Sequence, residues 1–178
     1  MLAGRYDVIS LDDIGLNDDI PETGTTFHEN ARQKAEFVRQ WVVAREGSCI
    51  DVMADDSGLE VMALGGAPGV YSARYAGEGC TPRQCIDKLL DALRDKSDRR
   101  ARFVTVIALI NDGKVSYFEG EVRGTIIDEL RGEGGFGYDP VFVPEGETMT
   151  FAELGNEKKN TMSHRANAVK QLQLKIEN

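Results

Sequence analysis

The sequence predicts an α/β fold in a single domain, on three observations: a capped amphipathic helix near the start, an apolar hairpin past the middle, and two glycine-dense loops beside short apolar strands. At 178 residues and 41% hydrophobic content the chain is long enough to build a real core, and such a domain can divide into two lobes.

Each element has its own signal. Residues 6–11 read as a short strand, and the acidic stretch 12–22 reads as a loop closed by Glu22-Thr23-Gly24-Thr25. Thr26 with Glu29 three residues on is a capping box, Phe27, Ala31, Ala35, Val38 and Val42 share one helical face, and Gly47 ends the segment. Lys34 and Glu22 flank the start of this helix. Residues 50–54 read as a buried strand that delivers Asp55 and Asp56 to its end, where a glycine-rich loop can bring backbone amides close to a ligand. Thr81-Pro82 opens a second helix with Ile86, Leu89, Leu90 and Leu93 as its stripe. Residues 102–110 and 114–122, separated by Asn111-Asp112-Gly113, read as an antiparallel hairpin. The loop 132–140 leads into the strand Val141-Phe142-Val143. Ser163 caps a C-terminal helix carrying Val169, Leu172 and Ile176 on one face. His164 and Arg165 then occupy a first turn whose free amides favour an anion.

Composition excludes several functions. A net charge of -9 argues against gripping a nucleic-acid backbone, so a polyanionic ligand must be met by local cations or a metal. Cys49, Cys80 and Cys85 are odd in number and lack zinc-site spacing, which predicts reduced thiols in a cytoplasmic protein. No apolar run approaches the roughly 20 residues that span a bilayer, and residues 1–7 carry no secretory h-region.

The chemistry concentrates at a few places. An Asp-Asp pair is ordinarily turn material. Preceded by an apolar strand and followed by Ser57-Gly58, this one suits a Mg²⁺ site, where one or two carboxylates hold the ion and substrate oxygens fill the rest. Adjacent strand residues point to opposite faces, so the pair does not match the Asp-x-Asp of a haloacid-dehalogenase phosphatase. Phe136-Gly137-Tyr138-Asp139 offers a stacking aromatic beside an acceptor for ring N–H groups. His28 reads as structural or exposed.

Five blocks in order carry a resemblance. They are Glu22-Thr23-Gly24-x-x-Phe27-x-Glu29-Asn30-Ala31-x-x-Lys34-Ala35; Ala54-Asp55-Asp56-Ser57-Gly58-Leu59; Gly65-Gly66-Ala67-Pro68-Gly69-Val70-Tyr71-Ser72-Ala73-Arg74-Tyr75; Gly134-Gly135-Phe136-Gly137-Tyr138-Asp139-Pro140; and Ser163-His164-Arg165. Together, from about Leu11 to the chain's end, they resemble the inosine/xanthosine triphosphate pyrophosphatase family. That resemblance implies an elongated, two-lobed α/β domain with a long twisted mixed sheet flanked by helices. It also implies a homodimer, and Mg²⁺-dependent hydrolysis of ITP, dITP or XTP to the monophosphate and pyrophosphate.

Carried over residue by residue, the resemblance makes Asp56 the Mg²⁺ ligand and proton acceptor for water, with Glu22 a second metal-site acid and Asp55 beside it. Ser57 would touch substrate and Lys34 would offset phosphate charge. Phe136, Gly137, Tyr138, Asp139, Lys159, His164 and Arg165 would line the purine pocket. Whether Asp55 ligates metal or supports the site through hydrogen bonds stays open at this point. Hypoxanthine and xanthine present a 6-keto acceptor and an N1–H donor where adenine presents the reverse, so a cation near O6 and an acceptor near N1 would select them. Family members begin with a strand and a Ser/Thr-x-Asn-x-x-Lys loop, and this chain starts downstream of both. The expectation is an N-terminally truncated single domain, 1–178, with an unpaired sheet position and one phosphate-binding lysine fewer. Two other readings follow: a nucleotide-binding protein without catalysis, and a modified-pyrimidine pyrophosphatase of the septum-formation-inhibitor group.

Overall fold

The computed structural model describes residues 7–47 and 50–177. Four strands lie in the order β1 (Val52–Val61), β2 (Arg100–Asn111), β3 (Lys114–Ile126) and β4 (Phe142–Pro144), with every pairing between them antiparallel. Helices α1 (Phe27–Glu46), α2 (Pro82–Ala92), α3 (Phe151–Met162) and α4 (His164–Glu177) flank this sheet, so the α/β expectation holds, although among the described residues the sheet is antiparallel throughout where the resemblance implied a mixed one.

Local chemistry explains the boundaries. Thr26 accepts from the Glu29 amide and the Glu29 carboxylate accepts from the Thr26 amide, closing the capping box at the start of α1, and Gly47 ends the helix at φ 66. Its stripe Phe27, Ala31, Ala35, Val38 and Val42 is buried as the periodicity requires. Asp112 and Gly113, at φ 48 and 75, form a two-residue turn whose positive φ values match the twist of the flanking strands.

Two cores share the long β1–β2 pair. Ala31, Ala35, Val104, Val106 and Ala108 build one between α1 and one face of the sheet. Leu59, Val61, Leu89, Phe103, Phe142 and Phe151 build the other farther along the strands, under α2 and α3. Burying each Val, Leu or Phe side chain among them contributes about 1.5–3 kcal/mol. Residues 55–58 of β1 therefore sit at the seam between the lobes.

Three expectations change. Residues 7–10 have no regular structure and 11–15 form a turn, so the strand over 6–11 is not there; Tyr6 lies outside the described residues. The apolar alternation was too short to compete with local side-chain bonding, in which Ser10 donates to Asp13. The strand at 50–54 does not stop at the two aspartates: it runs to Val61, because Asp56 to Val61 pair with Val106 to Ala101. Gly58 belongs to this strand, and its missing Cβ leaves room for the Gly69 carbonyl, the Ser72 hydroxyl and the Phe27 ring. The third change is an addition, α3, which opens with a capping box of Thr150 and Glu153 and is kinked at Gly155. Cys80 and Cys85 are free thiols as expected, whereas Cys49 and residues 1–6 lie outside the described residues. Among the described residues no helix is long and apolar enough to cross a membrane.

Candidate active site

Alternation along β1 sends Asp56 to the α1 face and Asp55 to the α4 face. Asp56 is buried. Its Oδ2 accepts from Asn30 Nδ2 at 3.1 Å and its Oδ1 from Lys34 Nζ at 3.1 Å, while the same ammonium donates to Glu22 Oε1 at 2.7 Å. Asn30 and Lys34 are one helical turn apart on α1, so a single helix face supplies both donors. Asn30 is fully buried, and its own Oδ1 accepts from the Gly24 amide at 2.8 Å, which ties the loop before α1 to the aspartate. Arg74 also faces this group, with Nη1 3.7 Å from Glu22 Oε2.

The charges compete here. Burial pushes the Asp56 carboxyl above the ordinary carboxylate range; Lys34 and Asn30 pull it back, and the Glu22 charge adds to the rise. Burial works against the Lys34 charge too, but Glu22 and Asp56 outweigh it and raise the amine above its usual value. In a simple ion pair the acid would shift down. One ammonium shared between two carboxylates leaves the more buried acid, Asp56, undercompensated and shifted up, while the ammonium, facing two acids, is raised as well.

The same convergence tests the site for Mg²⁺. Glu22 and Asp56 present only carboxylate oxygen to one cation, the Lys34 ammonium, a donor set that suits a hard divalent ion. Among the described residues no group of three or more His, Cys, Asp or Glu could hold a metal. Mg²⁺ commonly takes one or two carboxylates and completes its shell with water and phosphate, so the residues present fit it.

On the α4 face, Asp55 Oδ2 accepts from Arg165 Nη2 at 2.9 Å and from Ser57 Oγ at 3.0 Å. Asp55 shares none of the Asp56 contacts. Ser57 also shares a 2.7 Å hydrogen bond with Thr105, its cross-strand partner, and Thr105 pairs with Gly120. This row of small residues forms the seat of α4. A Cβ at Gly120 would run into the His164 carbonyl oxygen and the Ala168 amide.

All the residues expected to touch the substrate and its base, Ser57, Phe136, Gly137, Tyr138, Asp139, Lys159, His164 and Arg165, line one cavity of about 420 Å³. Phe136 is 80% exposed at its mouth. Asp139, buried, accepts from the Phe136 amide at 2.7 Å and pairs with Lys159, so it fixes the loop and the cation together. Tyr138 donates to the Ser72 carbonyl at 2.9 Å, and burial followed by the nearby Cys85 raises its phenol far above the usual value. Ser163 Oγ accepts from the Ala166 amide at 3.2 Å, the expected cap of α4. His164 stacks on Phe103 at 4.9 Å and 13°, and its buried Nδ1 has no protein partner. His28 is half-buried with its ring edge-on to Tyr117 and faces Glu119 across 3.1 Å, apart from both groups.

Burial, reinforced by the Arg165 and Lys159 charges, lowers the His164 pKa from 6.5 to about 3. The ring is therefore neutral when folded, while the unfolded chain binds a proton below about 6.5. Stability from this group rises with pH through that window and is lost as pH falls. Urea unfolding between about pH 4 and 6 should show a slope of up to about 1.4 kcal/mol per pH unit from it. His164→Gln should remove that slope; an unchanged slope contradicts the assignment.

The Ham1 family model matches residues 1–175. The dITP/XTP pyrophosphatase of Porphyromonas gingivalis strain W83 is 54% identical over 173 residues, 97% of this chain and 86% of that protein. The dITP/XTP pyrophosphatase of Bacillus subtilis strain 168 is 47% identical over 175 residues, 97% of this chain and 85% of that protein. The solved structure of the Staphylococcus aureus Ham1 protein superposes with a TM-score of 0.89 at 44% identity, covering 99% of this chain and 89% of that one. The chain belongs to the Ham1 family, and the resemblance read from its motifs is borne out.

Proposed function

We propose that this chain hydrolyses the inosine and xanthosine triphosphates ITP, dITP and XTP to the monophosphate and pyrophosphate, clearing altered purines from the nucleotide pool. One observation carries the reading: residues from three distant segments of sequence line a single base-sized cavity on one face of β1, and an acid–ammonium–acid group lies directly across the same strand. A nucleotide bound in the cavity reaches that group by passing its phosphates over the strand at residues 55–57.

Asp56 is the proton acceptor for the water that attacks the α-phosphorus. Asn30 and Lys34 fix its two oxygens so that one orientation is presented to the water. Lys34 also offsets phosphate charge. Mg²⁺ held by Asp56 and Glu22 supplies charge neutralisation of the phosphates when bound. Arg165, steered by Asp55, and Lys159, held by Asp139, supply positive charge to the cavity that carries the base, favouring a 6-keto purine over adenine. Phe136 stacks on the ring. His164 stays neutral in the cavity wall, stacked on Phe103. The homodimer and the cytoplasmic location rest on the resemblance and on the free thiols.

The test is a substrate panel of ITP, XTP, ATP and modified pyrimidine triphosphates, assayed with and without Mg²⁺. The expected result is release of pyrophosphate from ITP and XTP, with ATP disfavoured by at least about 100-fold and turnover lost on chelation. Orthophosphate as the phosphorus product, or a preference for the pyrimidines, contradicts the reading. Binding of ITP without turnover would establish a nucleotide-binding protein instead.

A further inference from the structure

Cys80 and Cys85 take no part in the chemistry above, yet they meet. Thr81 is the N-cap of α2, so Cys80 stands one residue before the cap and Cys85 at the fourth helical position, the two places that a hydrophobic staple brings into contact. Their sulfurs lie 3.0 Å apart, and both point at the Ala73 carbonyl, at 3.7 and 3.9 Å. Cys80 is partly exposed and Cys85 is buried, and both line the cavity that also holds Tyr138 and Lys159. A staple needs only apolar contact; two thiols in those places add redox chemistry.

We propose that Cys80 and Cys85 are a reversible oxidation site, closed to an intrachain disulfide by a hydroperoxide, whose formation alters the cavity wall and weakens nucleotide binding. The Cys85 sulfur attacks one oxygen of hydrogen peroxide, the O–O bond breaks, and the departing hydroxide takes the thiol proton to leave as water. Cys80 then attacks the resulting sulfenic sulfur, the S–O bond breaks, and a second water leaves with the Cys80 proton. Two thiols are oxidised and one peroxide is reduced to two waters. Burial opposes ionisation of Cys85, but the Cys80 thiol and the amides of Ala76 and Tyr75 outweigh it, and the Cys85 pKa falls below the usual thiol value. Joining the sulfurs draws the loop before α2 toward the helix, beside Tyr138.

The experiment uses the full chain carrying Cys49→Ser, so that only this pair can react. After one equivalent of hydrogen peroxide, a non-reducing tryptic digest should contain peptide 75–83 joined to peptide 84–88, lighter than their sum by about 2 Da and separated by dithiothreitol. The oxidised protein should show a KM for ITP raised several-fold and restored by the reductant. Cys80→Ser and Cys80→Ala should each abolish the linked peptide and the peroxide sensitivity of KM. Unlinked peptides bearing sulfinic or sulfonic acid, links between chains, or linkage with an unchanged KM would overturn the proposal. The KM readout rests on the function proposed above; the peptide linkage does not, so the two can fail separately.

Discussion

Asp56→Asn is expected to lower kcat/KM for ITP by about 10³-fold, with the loss in kcat, because it removes the proton acceptor and one of two carboxylates facing the metal position. Asparagine keeps the shape of the side chain but has one acceptor where the aspartate has two, so it cannot satisfy both Asn30 Nδ2 and Lys34 Nζ. Circular dichroism and thermal unfolding separate lost chemistry from lost structure. Asp55→Asn is the contrasting variant. Its contacts are Arg165 and Ser57 on the opposite face, so it should act mainly by raising KM, through a base-site arginine that is no longer steered. Steady-state pyrophosphate release over a range of ITP concentrations resolves the two. A tenfold or smaller loss in Asp56→Asn, or a larger kcat loss in Asp55→Asn, would reverse the roles assigned to the pair.

Gly120→Val should cost at least about 3 kcal/mol of stability, a large share of the roughly 5–15 kcal/mol that holds a domain together. The new side chain meets backbone, the His164 carbonyl and the Ala168 amide, and backbone cannot rotate away as a flexible side chain can. Helix α4 would have to lift from β3, carrying His164 off Phe103 and Arg165 away from Asp55. Denaturant unfolding should therefore show a lowered midpoint, and the fraction that remains folded should bind ITP more weakly. A midpoint within about 0.5 kcal/mol of the parent protein would show that the helix seat is softer than described.

Much of this was legible in the residues. The Thr-Pro start at Thr81, the Asp-Gly turn and the capping box at Thr26 each encode their geometry within four residues, and each element forms where it was expected. The same signal was present at Thr150 and Glu153, but Gly155 interrupts the helical pattern and hid α3. From local pattern alone strand β1 ends at its aspartates, because a run of Asp-Asp-Ser-Gly has the composition of a turn. What extends it is pairing with residues some fifty positions away, which no local pattern contains. Asn30 and Thr105 were missed as site residues for the same reason. Each left a trace: Asn30 lies one turn from Lys34 beside an apolar stripe, and Thr105 is the one hydroxyl in the apolar run 103–110. The strand expected at 6–11 shows the reverse error, an apolar alternation with no partner to pair with among the described residues.

The most direct test of the central claim, that Asp56 activates water against the α-phosphorus, is hydrolysis of ITP in ¹⁸O-labelled water followed by mass spectrometry of both products. The account predicts the label in IMP and none in pyrophosphate. Label in the pyrophosphate would place the attack on the β-phosphorus and contradict it.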